Sequence, residues 1–294
     1  MFAAAVTPRR EGTNHVDLPA ALRLIDYFCD CPLRGITLLG ATGEFLHLEA
    51  DQRTAFVSRA ITHSRLPVMV NVSHSSFDGA VLLARQAMDA GAVALLLMAP
   101  YYFRYQGPEV AEFFRRFADT VRTSLPMFLY NIPFFTSWIP IEVAESLLEE
   151  DVFDGIKDSS GDRVYMDRLL ALSKRTGCTV MVGNDTIFTV ARSAGAHGSV
   201  SGVACALPEM VTALDLAITA ANTAKVALLE NRMQEFIARI DRFPTPMGVR
   251  EAVAARGLTI GPLAVPVSAA MAQEAAEFRE WFRPWLEEVQ HEIR

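Results

Sequence analysis

The stretch Val93-Ala-Leu-Leu-Leu-Met98 decides the fold that the sequence predicts. It is apolar at every position, which is typical of a parallel strand that is buried on both faces. The strand ends at Pro100-Tyr-Tyr-Phe103, and Pro108 then begins a segment of helical character. We therefore expect a strand followed by a helix, which is the repeating unit of a parallel sheet.

The same alternation of strand and helix extends in both directions from this stretch. The other predicted strands are short runs that end in turn residues: 2–6, 35–39, 67–72, 126–130, 152–157, 178–182 and 198–202. Eight such units can close into a (β/α)8 barrel. The sequence thus predicts an α/β protein, with a (β/α)8 TIM barrel over residues 1–222 and a C-terminal helical extension over residues 223–294.

Composition narrows the class of protein and its partners. Of the 294 residues, 51% are hydrophobic and 21% are charged, which fits a globular chain with a large core. The net charge of −7 and the lack of a basic block argue against nucleic acid as a partner. No apolar run approaches the ~20 residues of a membrane helix, and Met1–Val6 is too short for a signal peptide. We expect a cytoplasmic protein with no membrane partner.

Metal chemistry is not expected. The four cysteines lack the spacing of a zinc or redox motif, the histidines are scattered, and no carboxylate pair marks a strand end. The sequence therefore predicts neither a metal site nor a metal cofactor.

Lys157 is the principal candidate for catalysis. It closes a short apolar run and precedes the turn residues Asp158-Ser-Ser-Gly161, so it is predicted to lie at the end of a strand. Active sites of (β/α)8 barrels lie at the C-terminal ends of the strands. A lysine beside apolar neighbours loses hydration and its pKa falls, so that the neutral amine can form an imine with a ketone. The alternative is a lysine that extends from the strand end into water.

Other strand ends carry side chains that suit a 2-oxo acid. The turn Gly40-Ala-Thr-Gly-Glu44 offers backbone N–H groups and the Thr42 hydroxyl to a carboxylate, although Thr42 could instead cap the next helix. Tyr130 could relay protons near the lysine, or bond to backbone at the barrel rim. Further strand ends carry Tyr102, Gly183, Asn184 and Ser201.

In their order and spacing, these motifs resemble those of the dihydrodipicolinate synthase / N-acetylneuraminate lyase family. The matching motifs are Gly40-Ala-Thr-Gly-Glu44, Pro100-Tyr-Tyr102, Tyr130-Asn-Ile-Pro133, Gly155-Ile-Lys-Asp158, Gly183-Asn-Asp185 and Gly195-Ala-His-Gly-Ser-Val-Ser201. The resemblance runs from Phe2 to about Pro266. It implies a (β/α)8 barrel in a homotetramer, a dimer of dimers. It also implies a lyase that binds pyruvate or another 2-oxo acid as a Schiff base, with no separate cofactor.

The resemblance also implies individual roles. Lys157 matches the lysine that forms the imine, and Tyr130 matches the tyrosine that relays protons to the substrate. The substrate-binding positions that it implies are Thr42, Ala41, Gly43, Tyr102, Gly183 and Val200. Among these, Tyr102 matches a tyrosine that crosses a dimer interface in the synthase branch.

Two departures from the family pattern bear on the substrate. Ala41 stands where the two branches have threonine or serine, so one hydroxyl of the proton relay is missing. Phe135 stands where the synthase branch has an arginine that binds the carboxylate of the aldehyde. An apolar ring cannot replace a bidentate guanidinium, and the loss corresponds to roughly one to two decades of affinity. Arg104 could supply the missing charge or lie in water, and Ser201 is a further candidate for specificity.

The predicted function is therefore a class I, metal-independent lyase acting on a 2-oxo acid and an aldehyde. A sugar-acid substrate such as a 2-keto-3-deoxy acid, or a less polar aldehyde, fits these departures better than aspartate semialdehyde. Two alternatives stay open. One is dihydrodipicolinate synthase itself, and the other is a member of the family that binds 2-oxo acids without turning them over.

Overall fold

The computed structural model describes residues 1–293 of the protein. Eight parallel strands close into one barrel in the order β1 to β8, which confirms the predicted (β/α)8 fold. The strands are β1 Phe2–Ala4, β2 Gly35–Leu38, β3 Val68–Asn71, β4 Ala94–Met98, β5 Met127–Asn131, β6 Gly155–Asp158, β7 Thr179–Val182 and β8 Gly198–Ser201.

Seven helices alternate with these strands, and five follow the last one. The alternating helices are α1 Leu18–Cys29, α2 Ala50–His63, α3 Phe77–Ala90, α4 Gly107–Val121, α5 Ile141–Glu149, α6 Arg163–Thr176 and α7 Phe188–Ala194. The helices after β8 are α8 Val203–Ala206, α9 Pro208–Thr219, α10 Thr223–Ile240, α11 Met247–Ala255 and α12 Ala269–Ile293. Short 3₁₀ helices cover Phe45–His47 and Asp185–Ile187.

Local sequence sets the limits of these elements, as α6 shows. The carboxylate of Asp162 accepts hydrogen bonds from the N–H groups of Val164 and Tyr165, which would otherwise lack partners in the first turn. Gly177 ends the helix with φ of 81°, a left-handed conformation that glycine adopts without strain. The helix after the lysine strand is therefore bounded by a cap at each end.

The chain divides into two compact units. One comprises Met1–Leu66 together with the chain from Ser201 onward, and the other comprises Pro67–Val200. In the first unit, α10 and α12 pack through aromatic rings, with Phe236 stacked on Trp285 at 5.8 Å between centroids. The proposed boundary between residues 222 and 223 stays a prediction.

Strand β4 belongs to the second unit and carries the stretch that predicted the fold. All five of its residues are buried, as expected for a parallel strand covered on both faces. Pairing along the ladder places Met98 beside Tyr130, Tyr130 beside Lys157, and Lys157 beside Met181. Paired residues of parallel strands point to the same side of the sheet, so these four side chains form one row.

Within residues 1–293, no helix combines the length and the apolar character that crossing a bilayer requires.

Candidate active site

Lys157 lies on β6 and differs from the other lysines of the chain in its burial. The sequence contains three lysines, and only 3% of the surface of Lys157 is exposed. Lys174 is exposed on α6, and Lys225 donates hydrogen bonds to the backbone carbonyls of Glu292 and Ile293. The predicted alternative, a lysine extending into water, is therefore wrong for Lys157.

Lys157 and Tyr130 are in direct contact. The Lys157 Nζ lies 4.0 Å from the centroid of the Tyr130 ring, within the range of a cation–π interaction. Tyr130 is buried, with 2% of its surface exposed. Within residues 1–293, neither the Lys157 Nζ nor the Tyr130 hydroxyl has a hydrogen-bond partner in the protein. Both polar groups are thus available to a bound molecule.

A second pair of side chains holds the same two strands together. Asn131 and Asp158 directly follow Tyr130 and Lys157 and are themselves paired, so they point to the opposite side of the sheet. The Asn131 Nδ2 donates to the Asp158 Oδ1 at 2.7 Å, and the hydroxyl of Ser160 donates to the Asp158 Oδ2 at 2.8 Å. Burial raises the pKa of Asp158 to about 6, and the hydrogen bonds partly oppose that rise. This polar pair fixes the register that places Lys157 beside Tyr130.

Gly183 and Ser159 both lie next to the side chain of Lys157. A Cβ atom at Gly183 would lie 2.8 Å from the Lys157 Cε and 2.1 Å from the Ser159 Oγ, so any side chain at position 183 would displace one of these two groups. The Gly183 N–H donates to the Asp158 carbonyl at 2.7 Å. Ser159 is 8% exposed and its Oγ has no partner in the protein. A buried hydroxyl without a partner beside the lysine is available to a ligand.

Ser159 was missed by the sequence-based analysis. The signal was present, because Ser159 follows Lys157 by two positions and extended backbone places such residues on one side. Because Asp158-Ser-Ser-Gly161 has the composition of a turn, Ser159 was assigned to the turn and not to the site.

The turn after β2 lies in the first unit and is held by its backbone. The Gly43 N–H donates to the Gly40 carbonyl and the Glu44 N–H to the Ala41 carbonyl, both at 3.0 Å. Thr42 is half-buried. The following 3₁₀ helix has Glu44 at its N-cap, and α2 begins after Glu49, so Thr42 caps neither helix. The capping alternative for Thr42 is therefore wrong.

Arg104 is exposed and is bonded to the backbone through one of its nitrogens. Its Nη1 donates to the backbone carbonyls of Pro133 and Thr136, which joins the loop after β4 to the loop after β5. Phe135 lies between those two acceptors in sequence and is 52% exposed. Tyr102, in the loop after β4, is 89% exposed and has a φ of 76°, a strained conformation for a residue other than glycine.

The two candidates from β8 differ in what their side chains do. Val200 is buried, with 1% of its surface exposed. The hydroxyl of Ser201 accepts a hydrogen bond from the Ala204 N–H at 2.8 Å, just after β8. The short helix α8 was not predicted, because Pro208 was expected to begin the eighth helix.

Within residues 1–293, no group of three or more histidine, cysteine, aspartate or glutamate side chains is arranged to hold a metal ion.

A (β/α)8 barrel with a buried lysine beside a tyrosine is the architecture of one class of enzyme. Comparison with known proteins leads to the same class. Residues 1–283 match the dihydrodipicolinate synthetase family. The 4-hydroxy-tetrahydrodipicolinate synthase of Azoarcus sp. (strain BH72) is 31% identical over 91% of both chains. An uncharacterized DapA-like lyase of Halobacterium salinarum is 29% identical over 81% of this chain and 78% of that protein.

Solved structures agree in fold. YagE, a prophage protein of the dihydrodipicolinic acid synthase family from E. coli K12, was crystallised in complex with pyruvate. It superposes with a TM-score of 0.88 at 23% identity over 97% of both chains. The protein described here belongs to the dihydrodipicolinate synthetase family and is a lyase.

Proposed function

We propose that the protein is a class I, metal-independent lyase in which Lys157 forms a Schiff base with pyruvate or a related 2-oxo acid. The observation that carries the proposal is the buried Lys157 Nζ, 4.0 Å from the Tyr130 ring and without a hydrogen-bond partner within residues 1–293. An amine that has no structural bond to break can attack a carbonyl carbon at low cost.

The proposed chemistry begins with attack of the neutral Lys157 Nζ on the C2 carbonyl of the 2-oxo acid. Tyr130 moves a proton to the carbonyl oxygen, and loss of that oxygen as water leaves the imine. In the cleavage direction, Tyr130 relays the proton of the C4 hydroxyl to the imine nitrogen while the C3–C4 bond breaks and releases an aldehyde. The electron pair of that bond forms the C2–C3 double bond of the enamine. Protonation at C3 and hydrolysis by water then return the 2-oxo acid and free Lys157.

We assign the carboxylate of the 2-oxo acid to the turn Gly40-Ala-Thr-Gly-Glu44. The N–H groups of Gly43 and Glu44 are used within the turn, which leaves the hydroxyl of Thr42 and the earlier N–H groups of the turn for an anion, and Thr42 caps no helix. Ala41 has no hydroxyl to contribute to proton transfer. Tyr130 therefore exchanges protons with water or with a group of the substrate.

For the second substrate we favour a hydroxylated one, such as a 2-keto-3-deoxy sugar acid. The unpartnered Oγ of Ser159 is suited to a substrate hydroxyl, and buried polar groups are rarely left unpaired when the site is filled. The Nη1 of Arg104 is already bonded to two backbone carbonyls, and Phe135 offers only a ring in place of a guanidinium. These features disfavour aspartate semialdehyde.

Dihydrodipicolinate synthase remains the second candidate, because the relative from Azoarcus carries that activity in its name. The test is a direct comparison of two assays. Condensation of pyruvate with aspartate semialdehyde would support the synthase, and faster cleavage of 2-keto-3-deoxy sugar acids would support our proposal. A Phe135→Arg variant should gain roughly ten- to hundredfold in apparent affinity for the semialdehyde if the position faces it. Binding of 2-oxo acids without turnover in either assay would identify the non-catalytic alternative.

Borohydride trapping tests the imine itself. The protein is incubated with pyruvate, reduced, digested and analysed by mass spectrometry. With only three lysines in the chain, the modified peptide is assigned without ambiguity. An adduct on Lys157 supports the proposal, while an adduct on Lys174 or Lys225 alone, or none with pyruvate or larger 2-oxo acids, contradicts it.

The homotetramer and the cytoplasmic location remain predictions. Tyr102 gives the first a measurable consequence: its exposed ring is expected to be covered by a partner chain. Light scattering at a series of concentrations, together with activity, would show whether dissociation and loss of activity coincide.

A further inference from the structure

A buried cluster of charged residues lies behind the turn after β2, and no step of the proposed chemistry uses it. The cluster consists of Arg9, Glu44 and Arg250, whose side chains are 0%, 8% and 2% exposed. Two guanidinium groups therefore share one carboxylate in the interior. Charged groups are rarely buried without a specific partner. Here Glu44 is the partner of both guanidinium groups.

Arg250 makes the bonds that organise the cluster. It lies on α11, and its Nη1 donates to the Glu44 Oε2 at 3.0 Å and to the Thr7 carbonyl at 2.8 Å. Its Nη2 reaches the carbonyls of Ile260, Gly261 and Pro262 at 3.1, 3.2 and 2.7 Å. A single side chain thus joins the end of the first strand, the turn after β2 and the segment 260–262.

Glu44 needs this support because of its backbone. Its φ is 51°, in the left-handed region that costs energy for a residue with a side chain. The Arg250 guanidinium holds its carboxylate, and the Thr7 hydroxyl donates to the Gly43 carbonyl at 2.7 Å. The last two residues of the turn are therefore fixed by groups outside it, and their conformation determines where the N–H groups and Thr42 point.

The segment 260–262 is itself held against the backbone of Arg9. The Arg9 N–H donates to the Ile260 carbonyl at 2.9 Å. Gly261 has φ of 70°, and a Cβ there would lie 1.8 Å from the Arg9 carbonyl oxygen, so only glycine fits. The guanidinium of Arg250 is therefore held by the backbone of residues 260–262. Its bond to the Glu44 carboxylate in turn fixes the position of that side chain.

We infer that Arg250 is a positioning residue for the carboxylate of the 2-oxo acid. Through Glu44 it holds the turn 40–44 in the conformation that presents Thr42 and the backbone N–H groups. The inference rests on the proposed function, since it takes the turn to be the carboxylate site. It assigns to the C-terminal helices a part in substrate binding in addition to packing.

The experiment compares Arg250→Met with a matched control, Arg256→Met. Arg256 ends α11, is 8% exposed, and pairs with Glu209 at 2.5 Å and with the Ala206 carbonyl at 3.2 Å, with no bond to the turn. Both variants lose one ion pair of the same unit. For each, borohydride trapping of Lys157 is measured over a range of pyruvate concentrations, together with the thermal midpoint Tm.

We expect Arg250→Met to raise the half-saturating pyruvate concentration by about ten- to hundredfold, because a small displacement of a binding group is costly. The trapped fraction at saturation should stay close to that of the natural chain. Arg256→Met should lower Tm without changing half-saturation. Equal half-saturation in both variants, at any value, would overturn the inference, because the effect would then be one of stability alone.

Glu44→Gln keeps the test decisive if Arg250→Met does not fold. It preserves the shape of the side chain and removes its charge, and it should raise half-saturation about three- to tenfold in the same direction. Arg250→Lys should recover part of the loss, since one amine replaces a five-bond guanidinium. A folded Glu44→Gln protein with unchanged half-saturation would contradict the role of Arg250. Failure of the natural chain to trap any adduct would instead contradict the proposed function.

Discussion

The lysine on β6 and the turn after β2 are held in opposite ways. On β5 and β6 the polar groups of Tyr130 and Lys157 have no hydrogen bonds within residues 1–293, and the support comes from the adjacent strand residues Asn131 and Asp158. At the turn the support comes from Arg250, 206 positions from Glu44. A nucleophile must be left unbonded to react, whereas a loop that binds an anion must be prevented from moving.

Lys157→Ala should have the largest effect. Without the amine no imine forms, so activity should fall at least about a thousandfold and trapping should disappear. The fold should survive, because the Nζ has no hydrogen bond to lose within residues 1–293. Lys174→Ala is the control, since that lysine is exposed and should be dispensable. An active Lys157→Ala enzyme would remove the basis of the proposed mechanism.

Tyr130→Phe should lower the rate of imine formation about a hundred- to thousandfold, the usual range for loss of a general acid–base group. Tm should hardly change, because the hydroxyl is not used by the fold. Tyr165→Phe is the matched control: it breaks a buried bond of 3.0 Å to the Ile139 carbonyl and should cost about 1–2 kcal/mol of stability while keeping activity. Stopped-flow kinetics and thermal unfolding separate the two. The reverse pattern would assign the structural role to Tyr130.

Gly183→Ala should slow adduct formation by about ten- to hundredfold, because its Cβ would displace the Lys157 Cε or the Ser159 hydroxyl. Gly177→Ala serves as the control. No atom lies within 4 Å of a Cβ there, so only the positive φ of 81° is strained, at about 1 kcal/mol of stability. Trapping rates that are equal in the two variants would show that space beside the lysine is not limiting.

Asp158→Asn concerns the dependence of stability on pH rather than the rate of adduct formation. Burial raises the pKa of Asp158 from 3.8 to about 6, so the folded chain holds this proton more tightly than the unfolded chain. The carboxyl therefore favours folding below about pH 4, and that contribution is lost as the pH rises through 6. The difference in unfolding free energy between natural and variant chains should change by about 3 kcal/mol across this window.

Urea unfolding at pH 4, 5, 6 and 7 measures that difference. A constant offset between the two chains over the whole range would show that Asp158 keeps an ordinary pKa and that its role in the strand pair is not electrostatic.

Much of the lysine region could be predicted from sequence because its parts are local. The apolar stretch 93–98 indicated a parallel barrel, and the strand alternation placed Lys157 at a strand end, as the structure has it. The contact of Lys157 with Tyr130 follows from the pairing of neighbouring strands. Family resemblance then supplied roles that these positions alone could not.

The remaining features of the site depend on residues that are far apart in sequence, or on which of several partners a side chain binds. Arg250 reads in sequence as one charged residue of an amphipathic helix, and nothing local indicates that it contacts Glu44 and Thr7. Arg104 is exposed, as one of the two alternatives had it, but nothing local in the sequence indicates its bonds to two backbone carbonyls. The bond that the Ser201 hydroxyl accepts from the Ala204 N–H likewise had no signal in the sequence.

The separation between Glu44 and Arg250 also has a consequence for biosynthesis. A ribosome completes β2, its turn and the Lys157 strand well before it adds α11, and the N-terminal part of a chain begins to fold first. A nascent chain that stops before residue 250 therefore carries Lys157 but lacks the side chain that holds Glu44. If the turn binds the carboxylate as proposed, capture of a 2-oxo acid requires translation at least through residue 250.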